Sequence, residues 1–162
     1  MEVADRVVLI TGASSGVGAA LATQLADMGA RVVVNYSRSA EAAEAVVDQI
    51  TGAGGQALAV QADVSEEADC KRLVATTVEH FGQLDVLVNN AGTTTFVPHD
   101  QLDALTEDIW LRTLRVNLIG AFMMSREAAP HIEAAGGGEI VMTSSIASMT
   151  ANGSSIAYCA SK

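Results

Sequence analysis

A tyrosine and a lysine stand four positions apart at Tyr158 and Lys162. On a helix, residues i and i+4 share one face, so phenol and ammonium would lie side by side. An unperturbed phenol titrates near pH ~10, and a neighbouring ammonium favours its ionised form, at about 1.4 kcal/mol per unit of lowering. Such a pair can pass a proton to a developing alkoxide near neutral pH. Ser145 precedes the tyrosine by thirteen residues, within a Ser-, Thr- and Ala-rich stretch from Thr143 to Ser155. Asn117 sits inside the apolar run from Leu114 to Met124. A polar amide is locally unfavourable in such a run, which suggests a job beyond packing. Taken singly, each residue also has an ordinary reading: a surface Tyr–Lys pair, a turn serine, an asparagine bridging backbone groups. Cys159, beside the tyrosine, has no histidine placed in the sequence to activate it and reads as a small buried helix residue.

A second chemistry-bearing segment, Thr11-Gly12-Ala13-Ser14-Ser15-Gly16-Val17-Gly18, follows the apolar run Val7 to Ile10. Glycines at a strand-to-helix turn let the backbone approach a pyrophosphate, and the helix N-terminus offers free N–H groups and positive dipole. Gly12, Ser14, Ser15, Gly16, Val17 and Gly18 are therefore candidate nucleotide-binding residues. The spacing is G-x-x-x-G-x-G, and the lysine of a G-x-x-x-x-G-K loop is missing, which argues against an NTPase. Asp63-Val64 and Asn89-Asn90-Ala91-Gly92 close two further strand-like runs, and ligands bind where parallel strands end. They add Asp63, Val64, Asn90, Ala91 and Gly92. A fold that prefers NAD carries an acid about 20 residues past the glycines. Here Asn35-Tyr36-Ser37-Arg38-Ser39 holds no acid before Glu41. Arg38, helped by Ser37, suits a 2′-phosphate, so NADP(H) is favoured, with NAD(H) as the alternative.

The elements that must position these residues alternate. Strands are expected at Val7–Ile10, Val32–Val34, Ala57–Val60, Val86–Val88 and Glu139–Thr143. The first helix carries Val17, Leu21, Leu25 and Met28 as its apolar stripe, and the second Ala43, Val46, Val47 and Ile50. Ser65 reads as the N-cap of a third helix that ends at Gly82. A long helix is expected from about Thr106 into the 130s, broken near Pro130. Strands joined by crossover helices imply an α/β, doubly wound, parallel (Rossmann-like) sheet, and no linker or repeat divides residues 1–162 into more than one domain. The stretch from Ile109 to Met124 is apolar on more than one side, so it is either buried within the chain or covered by a second copy, which predicts a homo-oligomer.

Composition excludes several classes. Nine basic against nineteen acidic residues give a net charge of −10, which repels phosphate backbones and anionic leaflets, so neither nucleic acid nor membrane is an expected partner. No apolar run approaches the ~18 residues of a membrane span, and the N-terminus carries no signal-peptide pattern. A cytoplasmic location is expected. Only Cys70 and Cys159 are present, and His80, His99 and His131 stand apart, so no metal site is expected.

Taken together, the turn at Thr11–Gly18, Asn89-Asn90-Ala91-Gly92, Asn117, Ser145 and Tyr158-x-x-x-Lys162 resemble the short-chain dehydrogenase/reductase family. The wording is most similar to its 3-oxoacyl-carrier-protein reductase and sugar dehydrogenase branches. The resemblance covers essentially the whole chain. It implies hydride transfer between a nicotinamide cofactor and a small carbonyl or alcohol substrate, with Tyr158 as acid/base. It further implies that Lys162 lowers the tyrosine pKa and holds the nicotinamide ribose, that Ser145 orients the substrate oxygen, and that Asn117 holds a relay water. Dimers or tetramers are implied as well. The family continues past Tyr-x-x-x-Lys with the rest of that helix, further strands and a substrate-covering loop and helix, so the C-terminal part of the family fold is expected to be absent from this chain. That leaves a non-catalytic nucleotide-binding fragment or sensor as the alternative function. It also predicts an unpaired edge at the fifth strand.

Overall fold

A computed structural model describes residues 2–162. Five strands, β1 (Val7–Ile10), β2 (Arg31–Tyr36), β3 (Gln56–Gln61), β4 (Val86–Asn89) and β5 (Glu139–Met142), form one parallel sheet in the order β3-β2-β1-β4-β5. The chain winds outward from β1 through β2 to β3, then returns to place β4 on the other side of β1, with Leu9 opposite both Val33 and Leu87. The switch point thus lies between β1 and β4, where a doubly wound sheet opens a ligand crevice.

Successive strand residues point to opposite faces, which divides the core in two. On one face Val7, Leu9, Val33 and Leu87 meet Leu73 of α3 (Glu67–Phe81) and Met124, Ala128 and Ile132 of α5 (Ala121–Ala134). On the other, Val8, Ile10, Val32 and Val34 pack against α1 (Gly16–Asp27) and α2 (Ala40–Gly52). This is the expected doubly wound α/β architecture, and the five strands fall where the sequence placed them.

The helices differ in detail. In α1 the fully buried face is Gly18, Ala22 and Ala26. Of the expected stripe, Leu21 and Leu25 pack partly buried against the core, whereas Val17 and Met28 are 70% and 60% exposed. Small residues let the helix sit close to the sheet beside the glycine turn and leave the larger ones at the margin of the contact. Ser65 is not the cap of α3: its hydroxyl donates to Asp63 Oδ1 (2.7 Å), and Glu66 occupies the cap position. The long helix is not broken at Pro130, which lies within α5 on its exposed side. The irregularity falls earlier. After α4 (Glu107–Leu114), residues Arg115–Gly120 form a π-helical stretch centred on Asn117, and α5 follows. Nor is this region buried all round, since Leu118 and Phe122 are 54% and 62% exposed while Met123 and Met124 are buried. Two short helices, α6 (Ala147–Thr150) and α7 (Ile156–Ser161), follow β5, which forms the edge of the described sheet with its four residues exposed.

Candidate functional site

The glycine turn is held from three sides. Thr11, buried at the end of β1, accepts from the backbone N–H groups of Asn90 and Ala91 (3.0 Å each) and donates to the Val88 carbonyl. Asn90 donates from Nδ2 to the carbonyls of Thr11 (2.9 Å) and Gly12 (3.0 Å). Asn35, buried near the end of β2, accepts from Gly12 N–H (3.1 Å) and donates to the carbonyls of Val60 (3.2 Å) and Ala62 (3.1 Å). Gly12 has φ +63°, and a Cβ there would meet Ala91 Cα at 2.8 Å. A Cβ on Gly18 would lie 2.6 Å from Asn90 Nδ2 and 2.7 Å from the Gly12 carbonyl oxygen. Both positions therefore require glycine, so that α1 can begin directly over the turn.

Above the turn lies a cleft of about 760 Å³. It brings together Gly12, Ser14, Ser15, Ser37, Arg38, Asp63, Val64, Asn90, Ala91 and Gly92, ten of the residues the sequence singled out. Gly16 and Gly18 do not line it but shape the backbone beneath, and Val17 lines the neighbouring cavity instead. The cleft also contains residues that sequence reasoning missed, among them Tyr36, Arg112, Arg115 and Val116. Asn35 was missed too. Its available signal was a polar residue continuing the buried register of β2, where Val32, Val33 and Val34 are apolar. Arg38, Arg112 and Arg115 give the cleft three guanidinium groups in a chain of net charge −10. Arg115 is partly committed, donating from Nε to the Ser65 carbonyl (3.2 Å).

The residues present fit a dinucleotide. The N-cap of α1, Ser15, makes no side-chain capping bond, so the first-turn amides keep their hydrogen-bonding capacity for a phosphate. Gly16, at φ +57°, has open space where a Cβ would stand.

A second cavity, about 540 Å³, adjoins the cleft through Asn90, Gly92 and Thr93. Ser145, Tyr158 and Lys162 all line it. Helix α7 begins at Ser155, whose hydroxyl oxygen accepts from Tyr158 N–H (3.4 Å). Lys162 Nζ donates to the Thr143 carbonyl (2.6 Å), and Ser144 donates to the Lys162 carbonyl (2.8 Å), fastening the catalytic-type pair to the end of β5. Burial pulls the Lys162 ammonium below its ordinary pKa. Ser145 Oγ accepts from Ala147 N–H (3.2 Å), which leaves its own proton free to donate.

Asn117 lines neither cavity and stands behind the wall between them. Its Oδ1 accepts from Thr93 N–H (2.7 Å), and its Nδ2 donates to the Thr93 carbonyl (3.0 Å) and Ser161 Oγ (2.8 Å). A Cβ placed on Gly92 would lie 3.6 Å from Asn117 Oδ1 and 3.7 Å from Lys162 Nζ, so the amide and the ammonium converge beneath that glycine. Among the described residues there is no His/Cys/Asp/Glu cluster of metal-binding geometry, and no helix is long and apolar enough to cross a membrane.

Comparison with known proteins identifies the family. The family model for short chain dehydrogenases matches residues 6–162. A Streptomyces violaceoruber protein named as a granaticin polyketide synthase ketoacyl reductase is 50% identical over 155 residues, 96% of this chain and 61% of its own length. Versicolorin reductase 1 of Aspergillus parasiticus is 46% identical over 140 residues, covering 86% of this chain and 52% of the relative. A solved structure described as a short-chain dehydrogenase/reductase of Burkholderia xenovorans superposes with a TM-score of 0.94 at 37% identity, over 98% of this chain and 66% of that one. The chain thus spans between about half and two thirds of the length of these relatives. With the matched model covering nearly every residue, the chain belongs to the short-chain dehydrogenase family of oxidoreductases.

Proposed function

We propose that this chain carries the cofactor cleft and the proton-transfer residues of an NADPH-dependent carbonyl reductase acting on small ketones, with Tyr158 as the acid. One observation carries the reading: Ser145, Tyr158 and Lys162 line a single cavity that opens into the cleft over the glycine turn. The name of the polyketide synthase ketoacyl reductase supports a keto group on a polyketide-type skeleton as the substrate class.

When bound, the nicotinamide cofactor supplies the hydride. The α1 amides with Ser14 and Ser15 would hold its pyrophosphate, and Asp63, Val64, Asn90, Ala91 and Gly92 would line the rest of its cleft. Arg38 and Ser37 bind a 2′-phosphate, and no carboxylate stands in that loop to repel one. Ser145 donates its free proton to the substrate oxygen. Tyr158 delivers its phenolic proton to the same oxygen as charge develops there. Lys162 has one N–H committed to Thr143, leaving two to stabilise the phenolate and to reach the ribose. Both N–H bonds of Asn117 are committed, so the second lone pair of its Oδ1 is the position open to a relay water. The exposed side chains Leu111, Leu118, Ile119 and Phe122 form the face through which a second copy covers the long helix, giving a homo-oligomer. A cytoplasmic location accords with the chemistry.

Tyr158→Phe is the direct test. Turnover of a ketone with NADPH should fall at least ~1,000-fold, because the phenolic proton is needed in the transition state, while NADPH affinity stays within about twofold. A parallel loss of cofactor binding and turnover would assign Tyr158 a structural role and remove the proposed mechanism.

A further inference from the structure

We propose that Ser161 is a positioning residue for proton transfer, locking Tyr158 and Asn117 into one fixed relation; the proposal rests on the reductase reading above. Ser161 is 7% exposed, lines neither cavity and touches no expected substrate position. Its hydroxyl nevertheless both donates and accepts. It donates to the Tyr158 carbonyl (2.8 Å) and accepts from Asn117 Nδ2 (2.8 Å). Through Asn117 the same link reaches both backbone polar groups of Thr93, one of the three residues shared by the two cavities. The link joins three separate elements. Helix α7 carries Tyr158. The π-helical stretch around Asn117 is an irregular turn, and Thr93 lies on a loop. Among the described residues, the Asn117–Ser161 bond is the side-chain hydrogen bond that ties the π stretch to α7.

Removing the hydroxyl strands one Asn117 N–H in a buried position and removes the side-chain bond to the Tyr158 carbonyl, which loosens the coupling between the two residues. A displacement of about 1 Å at a reacting group costs up to ~100-fold in rate. The cofactor cleft, in contrast, loses no contact.

The test uses trans-1-decalone, a bicyclic ketone, as probe substrate with NADPH, in the full protein. Ser161→Ala should lower kcat between about 10-fold and 100-fold, with the KM for decalone and the NADPH Kd within about twofold of wild type. Ser161→Thr, which keeps a hydroxyl, should recover most of kcat. In the double variant Ser161→Ala/Asn117→Ala, kcat should be no lower than in Asn117→Ala alone, since both substitutions cut the same link. If the alanine variant does not fold, Ser161→Cys, of similar volume but with a weak donor, should show the same selective loss of kcat. The proposal is overturned if kcat of these variants stays within twofold of wild type while Tyr158→Phe is inactive. It is equally overturned if the Ser161 and Asn117 losses multiply. If Tyr158→Phe itself keeps full turnover, the reductase reading fails first, and the two failures are told apart by that variant.

Discussion

Replacing Asn35 with leucine removes the tether that holds the glycine turn to the sheet. Four backbone groups lose a side-chain partner: Gly12 N–H and the carbonyls of Val60, Ala62 and Tyr36, of which the Tyr36 carbonyl keeps the Ala62 N–H. Ala62 and Val60 are buried, so water reaches their carbonyls poorly. A buried polar group left unsatisfied costs about 1–3 kcal/mol, and Gly12, partly exposed, falls at the low end. The sum is about 3–7 kcal/mol, set against total stabilities of about 5–15 kcal/mol for domains of this kind. At about 2–4 °C per kcal/mol for a chain of this size, the melting midpoint should drop by roughly 6 °C or more. Asn35→Asp separates the contributions. It keeps an acceptor for Gly12 but sets a carboxylate oxygen against two carbonyls, and should destabilise at least as much as the leucine. Thermal denaturation followed by circular dichroism reads both, and NADPH titration below the midpoint should show weaker binding in the leucine variant, since Gly12 is no longer anchored. A leucine variant melting within about 3 °C of wild type, with cofactor affinity unchanged, would refute the assignment of Asn35 as an anchor.

Arg38→Asp should reverse the cofactor preference from NADPH towards NADH, because a phosphate partner is replaced by a repelling charge; the ratio of kcat/KM for the two cofactors measures it, and a wild type indifferent to the 2′-phosphate would contradict it. Acid stability should depend on Asp85, whose side chain is inaccessible. Burial pushes its pKa up, but hydrogen bonds from Val7 N–H, Arg6 and Gln83 outweigh that and hold it below the usual carboxylate range. A carboxylate with a depressed folded pKa stabilises above its unfolded value near 3.8 and loses that contribution as pH falls through the folded one. Urea midpoints should therefore fall more steeply below about pH 4 in wild type than in Asp85→Asn, and parallel curves would exclude Asp85 as the cause. Phe122→Glu should shift the sedimentation coefficient towards that of a monomer, by placing a charge in the exposed apolar face of α5; an unchanged coefficient would locate the interface elsewhere.

What the sequence determined by itself is what depends on near neighbours along the chain. Val7–Ile10 reads as a strand because it is a continuous apolar run, and Gly12, Gly16 and Gly18 read as a phosphate turn because only glycine permits that geometry beside such a strand. The Tyr158–Lys162 pair is legible because helical spacing alone sets their common face. The tertiary structure decided what depends on distant partners. Asn35 lies in a strand of valines, and only the approach of Gly12, 23 residues away, and of Val60 and Ala62 from the next strand turns its amide into an anchor. Val17 and Met28 fit a helical stripe, yet the close seat of α1 on the sheet turns Gly18, Ala22 and Ala26 inward instead. Asn117 was noticed for its polarity, but its partners, Thr93 at 24 residues and Ser161 at 44 residues' separation, come from folding. Periodicity and turn chemistry are local properties of the backbone, whereas hydrogen-bond partners and buried faces are fixed by which elements the sheet order brings side by side.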